Sequence, residues 1–251
     1  MFVIENCKPI STPAPKGYPI YKNGVYDPEI HSIYRSIVSS LLYLARLSRP
    51  DIAFVVGALA TKLESPSAAD LGTAKRVLRY LSGSSELKIR FIASTDLNLT
   101  AYVDANFDVE PRGLSRTGAL VKLFGNPIGW WSKLQQVPAM STTEAEWYSV
   151  DFGLRKCLPI KQQLEDLQFS VRSFQILNDN KSTIAICNHE PGKLLARTSH
   201  VERCYYLIRH YIVNKTVNLS YISTDQQPAD ALTKCLVKPQ HLRLLQHFNL
   251  V

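Results

Sequence analysis

Four acidic positions in the 251-residue chain stand where something other than surface chance places them. Asp104, in "YVDANFD", follows the apolar-alternating "AYV" at the point where a strand would leave its sheet. Asp179, in "SFQILNDN", ends a second short apolar run immediately before a helical pattern. Open α/β sheets bind ligands at the carboxyl ends of their strands. Two carboxylates held there side by side would offer hard oxygen ligands of the kind that suits Mg²⁺. A helix opening at Ser141 supplies Glu144 and Glu146. Ser141 and Glu144 have capping-box spacing, an ordinary structural task, so Glu146 is the better candidate ligand without displacing its neighbour altogether. Asp230, in "QQPADALTK", opens a short helix, where the helix dipole alone favours an acid. Taken singly, each acid has a structural explanation, and only convergence would give the set a catalytic one.

The elements that must position these acids follow from periodicity. Residues 1–28 carry "PAPKGYPIYKNG" and no stable period, which predicts an extended arm. From Ile30, the residues Tyr34, Ile37, Leu41 and Leu44 recur at helical spacing, and "SRPD" resets the chain into a second helix ending near Leu63. Ser67, with Asp70 three residues on, caps a third helix that Gly83 stops. The period then changes to two in "LKIRFI" and "LTAYVDAN". "RTGALVKLFGNPIGWWSKL" predicts a hairpin turning at Gly125, Asn126 and Pro127. The helix from Ser141 towards Leu167 is expected to bend or break at Gly153 and Pro159. "SFQILND" and "VNLSYI" are strands separated by the helices "NKSTIAICNH" and Thr198–Val213, and "PQHLRLLQHF" closes the chain as an amphipathic helix. This order predicts an α/β fold, a mixed sheet with helices on its faces.

Lys and Arg outnumber Asp and Glu by 29 to 21, a net charge of +8 that favours an anionic partner, with nucleic acid the leading candidate. The five cysteines form no CxxC pair, which fits a reduced intracellular compartment, cytoplasm or nucleus. The longest apolar run, "IAFVVGALA", is too short to span a bilayer, so no membrane association is expected. Lys75, Arg76 and Arg79 share part of one helix face, which reads as a solvated face or a basic patch. Trp130, Trp131 and Trp147 read as packing residues before base-stacking ones. Asp108 reads as a loop acid, and His200 as an exposed polar residue or cap near a helix start.

The strings "YRSIVSSLLYLARLSRPDIAFVV", "AKRVLRYLSGSSELKIRF", "YVDANFD", "SRTGALVKLFGNPIGWWSKLQQVPAMSTTEAEW", "NDNKSTIAI" and "YISTDQQPADALTK", in this order, resemble the C-terminal part of the Pol polyprotein of copia-type LTR retrotransposons. The resemblance implies an arm over residues 1–28 and the helical, thumb-like tail of a reverse transcriptase over 29–95. It further implies a ribonuclease H-like domain with a mixed five-stranded sheet flanked by helices over 96–238, and a C-terminal helix over 239–251. The family's Asp, Glu, Asp, Asp pattern falls on Asp104, Glu146, Asp179 and Asp230 as catalytic metal ligands. It favours Glu146 over Glu144 because the family's Glu directly precedes a large apolar residue, here Trp147. Two Mg²⁺ ions, with Mn²⁺ the alternative occupant, would then serve hydrolysis of the RNA strand of an RNA/DNA hybrid, with the remainder of the Pol polyprotein as a further partner. Lys75, Arg76, Arg79, Arg116 and Lys133 are the expected phosphate contacts. The polymerase's Asp-Asp motif is absent from this chain, so a truncated or separately cut piece without polymerase activity is expected. The competing reading is a catalytically inactive remnant that at most binds nucleic acid through its charge.

Overall fold

The computed structural model describes residues 7–15, 25–95, 98–107, 109, 113–171, 173–188 and 199–251, the last of these without the side chains of 199–203. Asp108 and the side chain of His200 lie outside the described residues. The chain divides into two compact units, Met1–Arg90 with Lys234–Val251, and Phe91–Thr233. The sequence expectation drew its boundaries at 95/96 and 238/239 and kept the last helix apart, whereas here that helix belongs to the unit of the first three.

In the helical unit, α1 (His31–Leu47), α2 (Ala53–Ala60) and α3 (Ala68–Ser82) bury one apolar core that includes Tyr34, Leu41, Val56, Leu59, Ala74 and Val77. The expected capping box is present: Ser67 and Asp70 satisfy each other's backbone N–H groups at the start of α3. Thr12, Pro13 and Ala14 are buried, so this part of the lead-in is packed and not a free arm. The reset at "SRPD" has a second role. Arg49 forks onto Asp51 through Nε (2.9 Å) and Nη2 (2.7 Å), and Asp51 also accepts the Tyr80 hydroxyl proton at 2.6 Å. The Tyr80 oxygen lies 2.9 Å from Nε2 of His241 on α7 (Lys238–His247). Since the only hydroxyl proton goes to Asp51, the tautomer that satisfies this contact carries its proton on His241 Nε2. "LKIRFI" is not a sheet strand. Ile89 forms a single bridge to Leu250, and Phe91 and Ile92 are exposed, so the two-residue alternation there marks one-sided pairing with the chain's last residues.

The other unit is built on β1 (Leu99–Asn106), β2 (Arg116–Leu123), β3 (Asn126–Leu134), β4 (Phe174–Asn178) and β5 (Val217–Tyr221), in the order β3-β2-β1-β4-β5. The first three strands pair antiparallel, and β1, β4 and β5 pair parallel. With α4 (Thr142–Asp166), α5 (Lys181–Asn188) and α6 (Ser199–Val213) flanking it, this five-stranded mixed sheet is a ribonuclease H-like α/β fold. Its core joins Ala101, Val103, Ala119 and Val121 of the sheet to Val150, Leu154 and Cys157 of α4 and to Ile208 of α6. The hairpin turns at Phe124 and Gly125, both with positive φ (52° and 77°), one step before the expected Gly125-Asn126-Pro127. A two-residue turn of type I′ needs φ > 0 at both central residues. Asn126 and Pro127 already pair with Leu123 and Lys122, and the register shift between Val121 and Lys122 absorbs Ile128.

Neither Gly153 nor Pro159 breaks α4, which runs as one helix of 25 residues. Pro159 is exposed, as is Arg155, whose carbonyl loses its intrahelical donor there and can turn to water. Gly153 serves approach. A Cβ there would fall 2.6 Å from Val103 Cγ1, so the missing side chain lets α4 lie close on β1. Gly153→Ala should therefore destabilise this unit by about 1–3 kcal/mol through overpacking. Urea unfolding of G153A, V103A and the double variant would show it, with coupling in the double variant that relieves part of the loss.

Candidate metal centre

β1 and β4 pair in parallel only over Thr100–Tyr102 and Gln175–Leu177, after which the two strands part. Asp104 and Asp179 sit just past that point, one on each side of the opening. Glu146 reaches the same place from the second turn of α4. One ligand oxygen from each of Asp104, Glu146 and Asp179 lies within 4.8 Å of the other two. Asp104 and Glu146 are buried, 4% and 6% exposed, and Asp179 is half-buried.

Neutral donors hold each acid. Thr233 Oγ1 donates to Asp104 Oδ2. Thr224 Oγ1 donates to Asp179 Oδ2 at 2.7 Å. Glu146 Oε2 accepts from Asn178 Nδ2 at 2.8 Å and from Ser149 Oγ at 3.2 Å. Desolvation, followed by repulsion from Asp104, pushes the Glu146 carboxyl well above its ordinary range; repulsion from Asp179 adds to this, against the opposing pull of the Asn178 and Ser149 hydrogen bonds. The three carboxylates form an all-oxygen donor set. That chemistry fits a hard divalent cation and is costly without one.

Glu144, the alternative at the sequence level, is at the helix cap. Its backbone N–H donates to Ser141 Oγ at 3.1 Å, its Oε2 accepts from the Met140 N–H at 2.8 Å, and Tyr148 donates to its Oε1 at 3.0 Å. Asp230 is fully buried in the 3-10 turn Pro228–Leu232 and is not among the acids that share the 4.8 Å spacing. That turn packs on β2 opposite Asp104. Gly118, the cross-strand partner of Asp104, would carry a Cβ 2.7 Å from both the Ala229 oxygen and Thr233 Cγ2, so only glycine admits the turn here.

The expected phosphate contacts divide differently from the sequence expectation. Arg116 is 1% exposed and donates to Ser132 Oγ at 3.3 Å, so its guanidinium is interior and not a surface contact. Arg79 donates to the Lys8 oxygen at 2.9 Å and Arg76 to Thr12 Oγ1 at 3.3 Å, engagements that fasten the lead-in to α3. Lys75 and Lys133 are exposed, the latter with its Nζ 6.0 Å from the centre of the Phe152 ring. Trp147 is buried against Tyr205, and Trp131 meets Phe152 edge-on at 5.9 Å, so both are packing residues. Sequence reasoning passed over Asn178, Thr224, Gln227 and Thr233. All lie within three residues of Asp179 or within six of Asp230, and that proximity is the only signal the sequence offered.

Fold and cluster together define a ribonuclease H-like protein with an acidic centre suited to a divalent cation. The chain is homologous over most of its length to retrovirus-related Pol polyproteins of plant copia-type transposons. It is 32% identical over 246 residues to the Pol polyprotein of transposon TNT 1-94 from Nicotiana tabacum, covering 93% of this chain and 18% of that protein. It is 33% identical over 234 residues to the Pol polyprotein of transposon RE1 from Arabidopsis thaliana, covering 91% of this chain and 16% of that one. The chain thus spans less than a fifth of the length of these relatives. Among solved structures it is similar to the N-terminal ribonuclease H domain of a Mycobacterium tuberculosis protein. That match has 12% identity and a TM-score of 0.41, and covers 60% of this chain and 98% of that one. A likeness at that level adds nothing to what the strand order already says. No family model matches the chain.

With no cation bound, the cluster should weaken the fold that carries it. Glu146→Gln puts a neutral isostere where ionisation is penalised by burial and by Asp104, and should raise stability in EDTA by about 0.5–2 kcal/mol, the usual gain from relaxing a strained functional site. It should also abolish any stabilisation that added Mn²⁺ confers on the parent chain. Paired thermal melts of both proteins, with and without the ion, read the two effects.

Proposed function

We propose that the chain is the ribonuclease H part of a retrotransposon Pol protein, hydrolysing the RNA strand of RNA/DNA hybrids with Mg²⁺ or Mn²⁺. The observation that carries this reading is the convergence of Asp104, Glu146 and Asp179 within 4.8 Å where the strands of a ribonuclease H-like sheet part. Asp104, Glu146 and Asp179 would hold the cation, and Asp230 completes the acidic set as the fourth ligand in the resemblance. Divalent ions in such a site supply Lewis acidity to the scissile phosphate and lower the pKa of an attacking water.

The chain's own residues contribute position and charge. The three carboxylates set where the phosphate must lie, because a polyanion approaches them only when cations intervene. Their hydroxyl and amide donors keep each oxygen pointed into the opening. Lys75 and Lys133 are exposed cations that would add sequence-independent attraction to phosphates, consistent with the net charge of +8. The substrate class rests on the family. An RNA strand presents 2′-hydroxyls in a shallow minor groove that DNA lacks, and cleavage confined to that strand is the activity expected. The Pol polyprotein is the proposed molecular context, and this chain holds no polymerase activity in that reading.

One observation favours a second reading, a nucleic-acid-binding protein that does not cleave: Asp230 stands outside the 4.8 Å cluster. The two readings separate on a strand-specific assay. Incubated with an end-labelled RNA/DNA hybrid and Mg²⁺, the chain should shorten the RNA strand only. Asp104→Asn should lower the rate by more than the 10–100-fold that loss of an outer-shell partner costs. A folded protein that binds the hybrid and leaves both strands intact in Mg²⁺ and in Mn²⁺ would establish the second reading.

A further inference from the structure

Beyond Tyr102 the β1–β4 ladder ends, and the Val103 carbonyl faces into the parting of the strands. Two side-chain amides converge on it. Asn178 Nδ2 donates to the Val103 oxygen at 3.1 Å and Gln227 Nε2 at 3.0 Å, and both side chains are 0% exposed. Asn178 Nδ2 also donates to Glu146 Oε2 at 2.8 Å, while its Oδ1 accepts the Asn180 N–H at 3.0 Å. Gln227 Oε1 accepts the Ala229 N–H at 3.4 Å. The Asn178 amide cannot be turned over. A flip would set its oxygen against the Val103 carbonyl, which cannot donate, and its NH₂ against the Asn180 backbone N–H.

This oxygen is therefore a hub for the whole acidic set. Asp104 is the residue after Val103. Asp179 is the residue after Asn178, and Glu146 is bonded to Asn178 directly. Asp230 lies three residues past Gln227, in the turn that Gln227 begins. Asn178 and Gln227 carry no charge, so they hold the acidic segments in place without adding a charge of their own. We infer that Asn178 and Gln227 are positioning residues for the metal centre, setting the spacing of its carboxylates through their shared hydrogen bond to Val103. The inference rests on the metal-centre reading of the acids and not on hydrolysis.

The isosteric changes Asn178→Asp and Gln227→Glu keep the shape and remove the amide donors. Asn178→Ser tests the same role without adding a charge. Mn²⁺ titrated calorimetrically into the intact chain gives the affinity without catalysis, and urea unfolding in EDTA reads the fold separately. Loss of an outer-shell orienting group costs 10–100-fold in metal affinity. The expected result is a drop of that size in Gln227→Glu and Asn178→Ser, with the apparent Mg²⁺ requirement for hybrid cleavage raised to match and the KM for hybrid unchanged. If Asn178→Asp does not fold, the other two variants decide. Folded variants that bind Mn²⁺ within twofold of the parent would overturn the inference, as would a parent chain that binds no Mn²⁺ at Asp104, Glu146 and Asp179. A parent that binds Mn²⁺ but leaves hybrids intact would defeat the nuclease reading alone, and the affinity differences would still stand.

Discussion

Like charges do not gather in a protein interior unless the chain forces them to. Two carboxylate charges no more than 4.8 Å apart repel by on the order of 3 kcal/mol or more at an effective dielectric constant of 20, before the cost of removing either from water. This chain brings three together, two of them buried. The strain shows in Glu146, whose carboxyl is driven up first by burial and then by Asp104. Every neighbouring feature serves that concentration of charge, from the hydroxyls of Thr224 and Thr233 to the amide of Asn178.

Such a cluster needs a scaffold that does not relax. β1 is the central strand, paired antiparallel on one side and parallel on the other, and it carries Asp104 at the end of its parallel pairing. Two glycines admit the elements that flank it. Without a side chain at Gly153, α4 lies close to Val103 and delivers Glu146; without one at Gly118, the turn carrying Asp230 and Thr233 settles on β2. The segment Asn178-Asp179-Asn180 divides three tasks among three consecutive residues. Asn178 anchors, Asp179 faces the opening, and Asn180 Oδ1 accepts the Thr183 N–H at 2.9 Å at the start of α5.

Much of this was legible in the residues. An apolar run that ends in an acid placed Asp179 directly after β4, because strand period is a local property; Asp104 is not at the end of β1, which runs on to Asn106 paired with β2, and only its parallel pairing with β4 has stopped. Cap chemistry leaned from Glu144 towards Glu146 for the same reason, since a capping interaction involves residues three or four apart, and the family resemblance completed the choice. What stayed hidden was tertiary. Nothing in the sequence around Arg116 says that its guanidinium is interior, since a strand residue's burial depends on what packs over it. "LKIRFI" alternates as a strand does, yet its pairing is with the last residues of the chain. Pro159 should break a helix by local rules, and packing along α4 overrides them. Asn178 and Gln227 have no period and no motif to mark them; their role exists only because a carbonyl 75 and 124 residues away from them has no strand partner in the β1–β4 ladder.

Site and proposed chemistry alike depend on a divalent cation bound by Asp104, Glu146 and Asp179. Crystals of the intact chain soaked in Mn²⁺, with diffraction collected at an energy where manganese scatters anomalously, test it without reference to activity. The expected result is an anomalous peak within about 2.5 Å of an oxygen of each of the three carboxylates, absent when Asp104 is replaced by Asn. A clean map with no peak among them, in crystals where Mn²⁺ is bound elsewhere on the molecule, would contradict it.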